Sequence, residues 1–141
     1  MGKIIISACL LGENCKYSGG NNYDPNVIAF IQGREVIPVC PEVLAGLGIP
    51  RIPIEIRDGR VIRQDGVDVD DAIREAVEHI LRQLKEEPID CAVLKARSPT
   101  CGVRQIYDGS FTGTLTDGAG VLARALMDAG YRVMDNETLE E

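Results

Sequence analysis

Three short apolar runs in this chain each reach a cysteine within a few residues of their carboxyl end, beside a glycine or proline. Ile4-Ile5-Ile6-Ser7 leads into Ala8-Cys9-Leu10-Leu11-Gly12, and Glu35-Val36-Ile37-Pro38-Val39 leads into Cys40-Pro41. Cys91-Ala92-Val93-Leu94-Lys95 leads into Ser98-Pro99-Thr100-Cys101-Gly102. Runs of this length, rich in β-branched residues and closed by turn formers, read as buried strands. Amphipathic segments lie between them. Asp24-Pro25 opens a short helix that ends by Gly33, and Asp68 opens a long one whose apolar residues share one face up to Leu84. A helix over 117–129 then precedes a fourth strand, Tyr131-Arg132-Val133-Met134.

Strand alternating with helix predicts a Rossmann-like α/β domain, with a mainly parallel four-stranded sheet flanked by helices. Ile54-Glu55-Ile56-Arg57 and Arg60-Val61-Ile62 meet across Asp58-Gly59, which predicts a small β-hairpin insertion. Pro38 fits an edge strand. The 141 residues suit one domain (1–141), with the acidic tail 135–141 expected to be loose.

In such sheets ligands bind beyond the carboxyl ends of the strands. Parallel neighbouring strands would therefore bring Cys9, Cys40 and Cys101 to one edge of the sheet. Cys91 begins a strand at the opposite edge and reads as a small core hydrophobe, and Cys15 lies on a polar Asn/Gly loop expected to be mobile. Five cysteines do not pair off as a disulfide framework, and the first residues read as strand rather than as a targeting segment. Together with the lack of any apolar stretch long enough to span a bilayer, this leads us to expect a cytoplasmic protein whose cysteines bind metal or do chemistry. The single histidine, His79, falls on the polar face of the long helix. Three thiolates without a fourth ligand suit zinc with an open position or a cubane cluster with one unligated iron, and the residues alone do not separate these.

A net charge of −7 argues against an extended nucleic acid as partner and leaves a small molecule. Lys95, Arg97 and Arg104 cluster around the third strand's loop, with Lys16 and Arg51 on other loops, as candidates to neutralise a cluster or hold a phosphate. The small and hydroxyl residues of 109–114, Gly113 among them, suit the wall of a nucleobase pocket. No phosphate-binding or dinucleotide pattern is present.

The cysteine segments, with Lys16-Tyr17, Gly19-Gly20-Asn21, Glu42, Ile106-Tyr107-Asp108-Gly109 and Phe111-Thr112-Gly113-Thr114-Leu115, resemble the small-domain family that includes the iron–sulfur-dependent thiouracil desulfidases. The resemblance covers nearly the whole chain; Thr100 stands where the family more often has Ser. It implies a 4Fe–4S cluster on Cys9, Cys40 and Cys101, with one open iron for the sulfur of a thiolated pyrimidine. It also implies a catalytic carboxylate at Glu42 and an active-site serine at Ser98. The reaction so implied is non-redox: iron acts as Lewis acid, activated water attacks the ring carbon, and hydrosulfide departs. An open cluster is expected to be lost in air, leaving zinc or a disulfide. The alternatives are a non-catalytic cluster or zinc sensor and a sulfur-transfer enzyme. The expected assembly is a monomer or small homo-oligomer.

Overall fold

The computed structural model describes residues 2–140. Its centre is a four-stranded, wholly parallel sheet built from β1 (Lys3–Ser7), β2 (Val36–Val39), β5 (Ile89–Leu94) and β8 (Val133–Asp135), in the order β2-β1-β5-β8. In register, Ile4 lies opposite Val36 and Cys91. Alternate side chains feed two cores. Ile5, Ala92 and Leu94 face α3 (Asp70–Leu84) and α4 (Val121–Asp128), while Ile4, Ile6, Cys91 and Val93 face Leu10 and Val27. Cys91 is thus a core residue, as its alternation implies. Pro38 sits on β2, an edge strand, where its missing N–H costs no sheet bond on the open side.

The first crossover carries a 3-10 turn, Ala8–Leu11, and α1 (Pro25–Phe30), capped by Asp24, whose carboxylate accepts the Asn26 N–H at 2.9 Å. The hairpin is β3 (Ile54–Arg57) with β4 (Arg60–Arg63), turned through left-handed Asp58 and Gly59. Buried Asp70 ties this hairpin to α3: its carboxylate accepts the Val61 N–H at 3.0 Å and Arg74 Nε at 2.7 Å. No helix among the described residues is long and apolar enough to cross a membrane.

Two expectations change. The helix anticipated over 117–129 starts only at Val121, because Leu115–Asp117 pairs as β7 with β6 (Gln105–Tyr107). The tail is held rather than loose. Asp135 is 1% exposed and bonded to Arg104 and Thr138, the Asn136 side chain accepts the Ala96 N–H at 2.9 Å, and Leu139 packs on the core. Glu141 lies outside the described residues.

Candidate active site

The chain leaves β1 toward β2 on one side and returns to β5 on the other, so the strand order reverses between β1 and β5. A crevice opens at such a switch point, beyond the carboxyl ends of the strands. Here it is a cavity of about 510 Å³, and its wall includes Cys9, Cys40, Cys101, Glu42 and Ser98.

Each side chain arrives for a local reason. Cys9 stands in the 3-10 turn that ends β1, where its carbonyl accepts the N–H groups of Gly12 and Asn22. Cys40 caps the short helix α2 (Pro41–Leu44), with Pro41 presetting the first turn and Glu42 following in it. Beyond β5 the chain turns sharply, with Arg97 in the left-handed region (φ 66°). Ser98 then organises the turn: its Oγ accepts the N–H groups of Thr100 at 3.2 Å and Cys101 at 3.0 Å. The start of α4 closes on this turn, with the Leu122 N–H donating to the Thr100 carbonyl at 2.8 Å. Only glycine permits that approach at residue 120, where a Cβ would lie 2.4 Å from the Thr100 carbonyl carbon.

Burial of the Cys9 and Cys101 thiols favours their neutral form. Burial pushes Cys101 up to about 12, against hydrogen bonds from Ser7 and Thr100. Burial likewise raises Cys9, against a bond to Asn22 and the charge of Lys95. Ser7, buried at the end of β1, also accepts the Lys95 N–H at 2.9 Å, so one hydroxyl joins the ends of β1 and β5. Among the described residues, no group of three His, Cys, Asp or Glu side chains closes on a single-ion position.

Cys15 departs from its expected place on a mobile loop. It is buried, lines the cavity and lies beside Cys40, whose Sγ is 3.9 Å from the Cys15 carbonyl oxygen. Burial, with Cys40 and Cys9 adding to it, pushes its thiol up to about 12. Its loop is fastened by the Lys16 N–H to the Gly20 carbonyl and by the Arg51 N–H to the Tyr17 carbonyl.

Glu42 is clamped from two sides. Arg51 Nε donates to its Oε1 at 3.1 Å and Thr100 Oγ1 to its Oε2 at 3.1 Å. The Arg51 side chain is only 5% exposed and also donates to the carbonyls of Cys15 at 2.9 Å and Gly48 at 3.0 Å.

The other cations divide. Lys16, Lys95, Arg97 and Gly113 line the cavity. Lys95 Nζ donates to the Ala96 carbonyl, and burial, with Arg97 close by, lowers its proton affinity. Arg97 is paired with Glu137 at 2.8 Å. Arg104 is not in the cavity wall: its Nε is bonded to buried Asp135 at 2.9 Å. His79 is exposed on α3. Glu55 was not expected to matter, because Ile54-Glu55-Ile56 alternates as though Glu55 faced water. Instead it is buried and accepts the N–H groups of Gly109 at 3.0 Å and Phe111 at 3.1 Å, which anchors the 109–114 loop to the cavity wall.

The sequence profile of the 2-thiouracil desulfurase family matches residues 4–138. The uncharacterized protein YbbK of Bacillus subtilis (strain 168) is 32% identical over 148 aligned residues, spanning 98% of this chain and 98% of its own length. A solved structure of the 4Fe–4S-dependent thiouracil desulfidase TudS is similar with a TM-score of 0.89 and 34% identity, covering 99% of this chain and 93% of that one. By its sequence and its fold, the chain belongs to the 2-thiouracil desulfurase family.

Proposed function

We propose that this protein removes sulfur from a thiolated pyrimidine, thiouracil or its nucleotide, as hydrosulfide, with Cys9, Cys40 and Cys101 holding a 4Fe–4S cluster. The observation that carries this reading is the meeting of three thiols from three separate strand ends with a clamped carboxylate on one cavity. The donor set fits the group: soft thiolates are the ligands of iron–sulfur clusters. The three thiols line one cavity, as the ligands of a single shared group must. When bound with three protein ligands, such a cluster supplies Lewis-acid chemistry toward the substrate's sulfur at its one open iron.

The protein's own residues supply the rest. Glu42, fixed by Arg51 and Thr100, receives the proton lost by the attacking water. Ser98 stands on the cavity wall to orient the pyrimidine ring. Lys16 and Lys95 line the same wall and suit a substrate phosphate, and the 109–114 loop with Gly113 covers the ring. Arg97 shares this wall with its Nη1 bonded to Glu137, and Arg104 lies outside it, bonded to Asp135.

The test is anaerobic reconstitution followed by assay of hydrosulfide from 2-thiouracil and from 4-thiouridine monophosphate. Release that is lost in Cys9→Ser supports the reading. Iron bound without turnover would replace it with a sensor, and sulfur appearing in a second substrate would replace it with a transferase.

A further inference from the structure

The Gly-, Ser- and Thr-rich loop of residues 109–114 offers no free cradle for an anion, because its donors are spent. Glu55 Oε1 accepts the N–H groups of Gly109 at 3.0 Å and Phe111 at 3.1 Å, and Asp108 Oδ1 accepts that of Ser110 at 2.9 Å. A buried carboxylate thus fills the place that an anionic ligand would take. The exposed hydroxyls of Ser110, Thr112 and Thr114 bond to one another. What the loop brings to the cavity wall is Phe111 and Gly113.

Phe111 is held there at a cost. Its φ of 57° lies in the left-handed region, which a bulky side chain rarely enters. Such a conformation persists only where the surroundings enforce it. Here β3 does so. Glu55 takes the Phe111 N–H, while Arg57 donates from Nε at 2.9 Å and Nη2 at 2.7 Å to the Gly109 carbonyl. The loop lies so close to β3 that a Cβ on Gly109 would be 2.7 Å from the Ile56 carbonyl oxygen. The Arg57 guanidinium then stands over the Phe111 ring, 5.7 Å from its centre. Arg57 is an exposed residue, so it covers the ring from the solvent side. The ring is left to meet the cavity with its other face and its edge.

We propose that Phe111 is a specificity-determining residue whose ring is the platform on which the flat pyrimidine stacks, held in place by Glu55 and Arg57 of β3. The assignment deepens the desulfidase reading above and rests on it for the identity of the ring. Stacking asks for a planar π system. The platform therefore favours an aromatic pyrimidine over a saturated, puckered ring with the same polar edge. It also explains why an aromatic side chain stands at a left-handed position that glycine or asparagine would fill without strain.

The test is equilibrium dialysis of reconstituted protein against uracil and against dihydrouracil, which keeps the polar edge on a puckered, saturated ring. Wild type should hold uracil about tenfold more tightly than dihydrouracil, the scale of one stacked base. Phe111→Leu should bind the two alike, and Phe111→Tyr should keep the preference. In turnover of 2-thiouracil, Phe111→Leu should raise KM about tenfold with kcat and iron content unchanged, which marks lost binding rather than lost chemistry. Should Phe111→Leu melt below wild type, Phe111→Asn, whose side chain suits the left-handed backbone, takes its place. A wild type that binds both rings alike, a preference that survives in Phe111→Leu, or an unchanged KM would overturn the proposal. If wild type shows the Phe111-dependent preference yet releases no hydrosulfide, the platform stands and the desulfidase reading fails. Hydrosulfide release without the preference sinks the platform alone.

Discussion

At the scale of single residues, the site depends on a buried ion pair. Arg51 and Glu42 have little exposed side chain, and removing one partner of such a pair leaves the other charge uncompensated. Arg51→Met should therefore cost about 3 kcal/mol of folding stability in urea titration. Glu42→Gln keeps the side chain's shape but leaves Arg51 without its counter-charge, so it should lower stability in the same titration, while hydrosulfide release per iron bound falls at least about a hundred-fold. Cys9, Cys40 and Cys101 could be singled out in the sequence because each follows closely on a strand, whereas Glu42 and Ser98 were picked out by the family resemblance. Arg51, Ser7 and Thr100 were not legible as partners. Their roles exist only through contacts with residues 9, 88 and 58 positions away, respectively, which no local pattern encodes.

Among the elements, the one that sets the third cysteine is α4, through its close approach to the Ser98–Gly102 turn. Gly120→Ala would place a methyl group where the Thr100 carbonyl carbon now lies 2.4 Å away. We expect it to cost about 1–3 kcal/mol, the range for overpacking a tight contact, and to lower iron retention together with stability. Thermal melts and iron content on the same samples check both. The strands and the long helix were legible because their apolar periodicity is repeated over many residues. The late start of α4 was not: Leu115–Asp117 becomes a strand only because β6 lies beside it, and the Asp117-Gly118 pair looks locally like a helix start. Glu55 shows the same limit, since an alternating pattern cannot tell a solvated carboxylate from one that satisfies a buried loop.

For the whole molecule, the parallel sheet places its switch point where the three thiols meet, and the fold buries four of the five thiols in ways that favour their neutral form. Burial raises Cys9 and Cys91, and carries Cys15 and Cys101 up to about 12. In the unfolded chain a thiol ionises near ~8.5. The stability that the neutral thiols contribute to the cluster-free fold should thus be fully present below about pH 8.5 and be lost progressively as pH rises toward the folded-state values. A melting temperature that falls between pH 8.5 and 10.5, and falls less in Cys91→Ala, checks the sign. Ligand thiols must lose their protons to bind iron, so the extent of reconstitution should rise with pH over the range in which the fold survives. The parallel sheet was implied by the strand–helix alternation, but the inward turn of the Cys15 loop was not, because it is held by backbone bonds to Arg51 and Gly20 that its composition does not announce.

The most direct test of the account is the hydrosulfide released from 2-thiouracil by anaerobically reconstituted protein, measured beside its Cys101→Ser variant with iron counted in both. The account predicts about four irons per chain and steady release in the wild type, with both lost in the variant. Equal release by Cys101→Ser, or release by iron-free wild type, would contradict it.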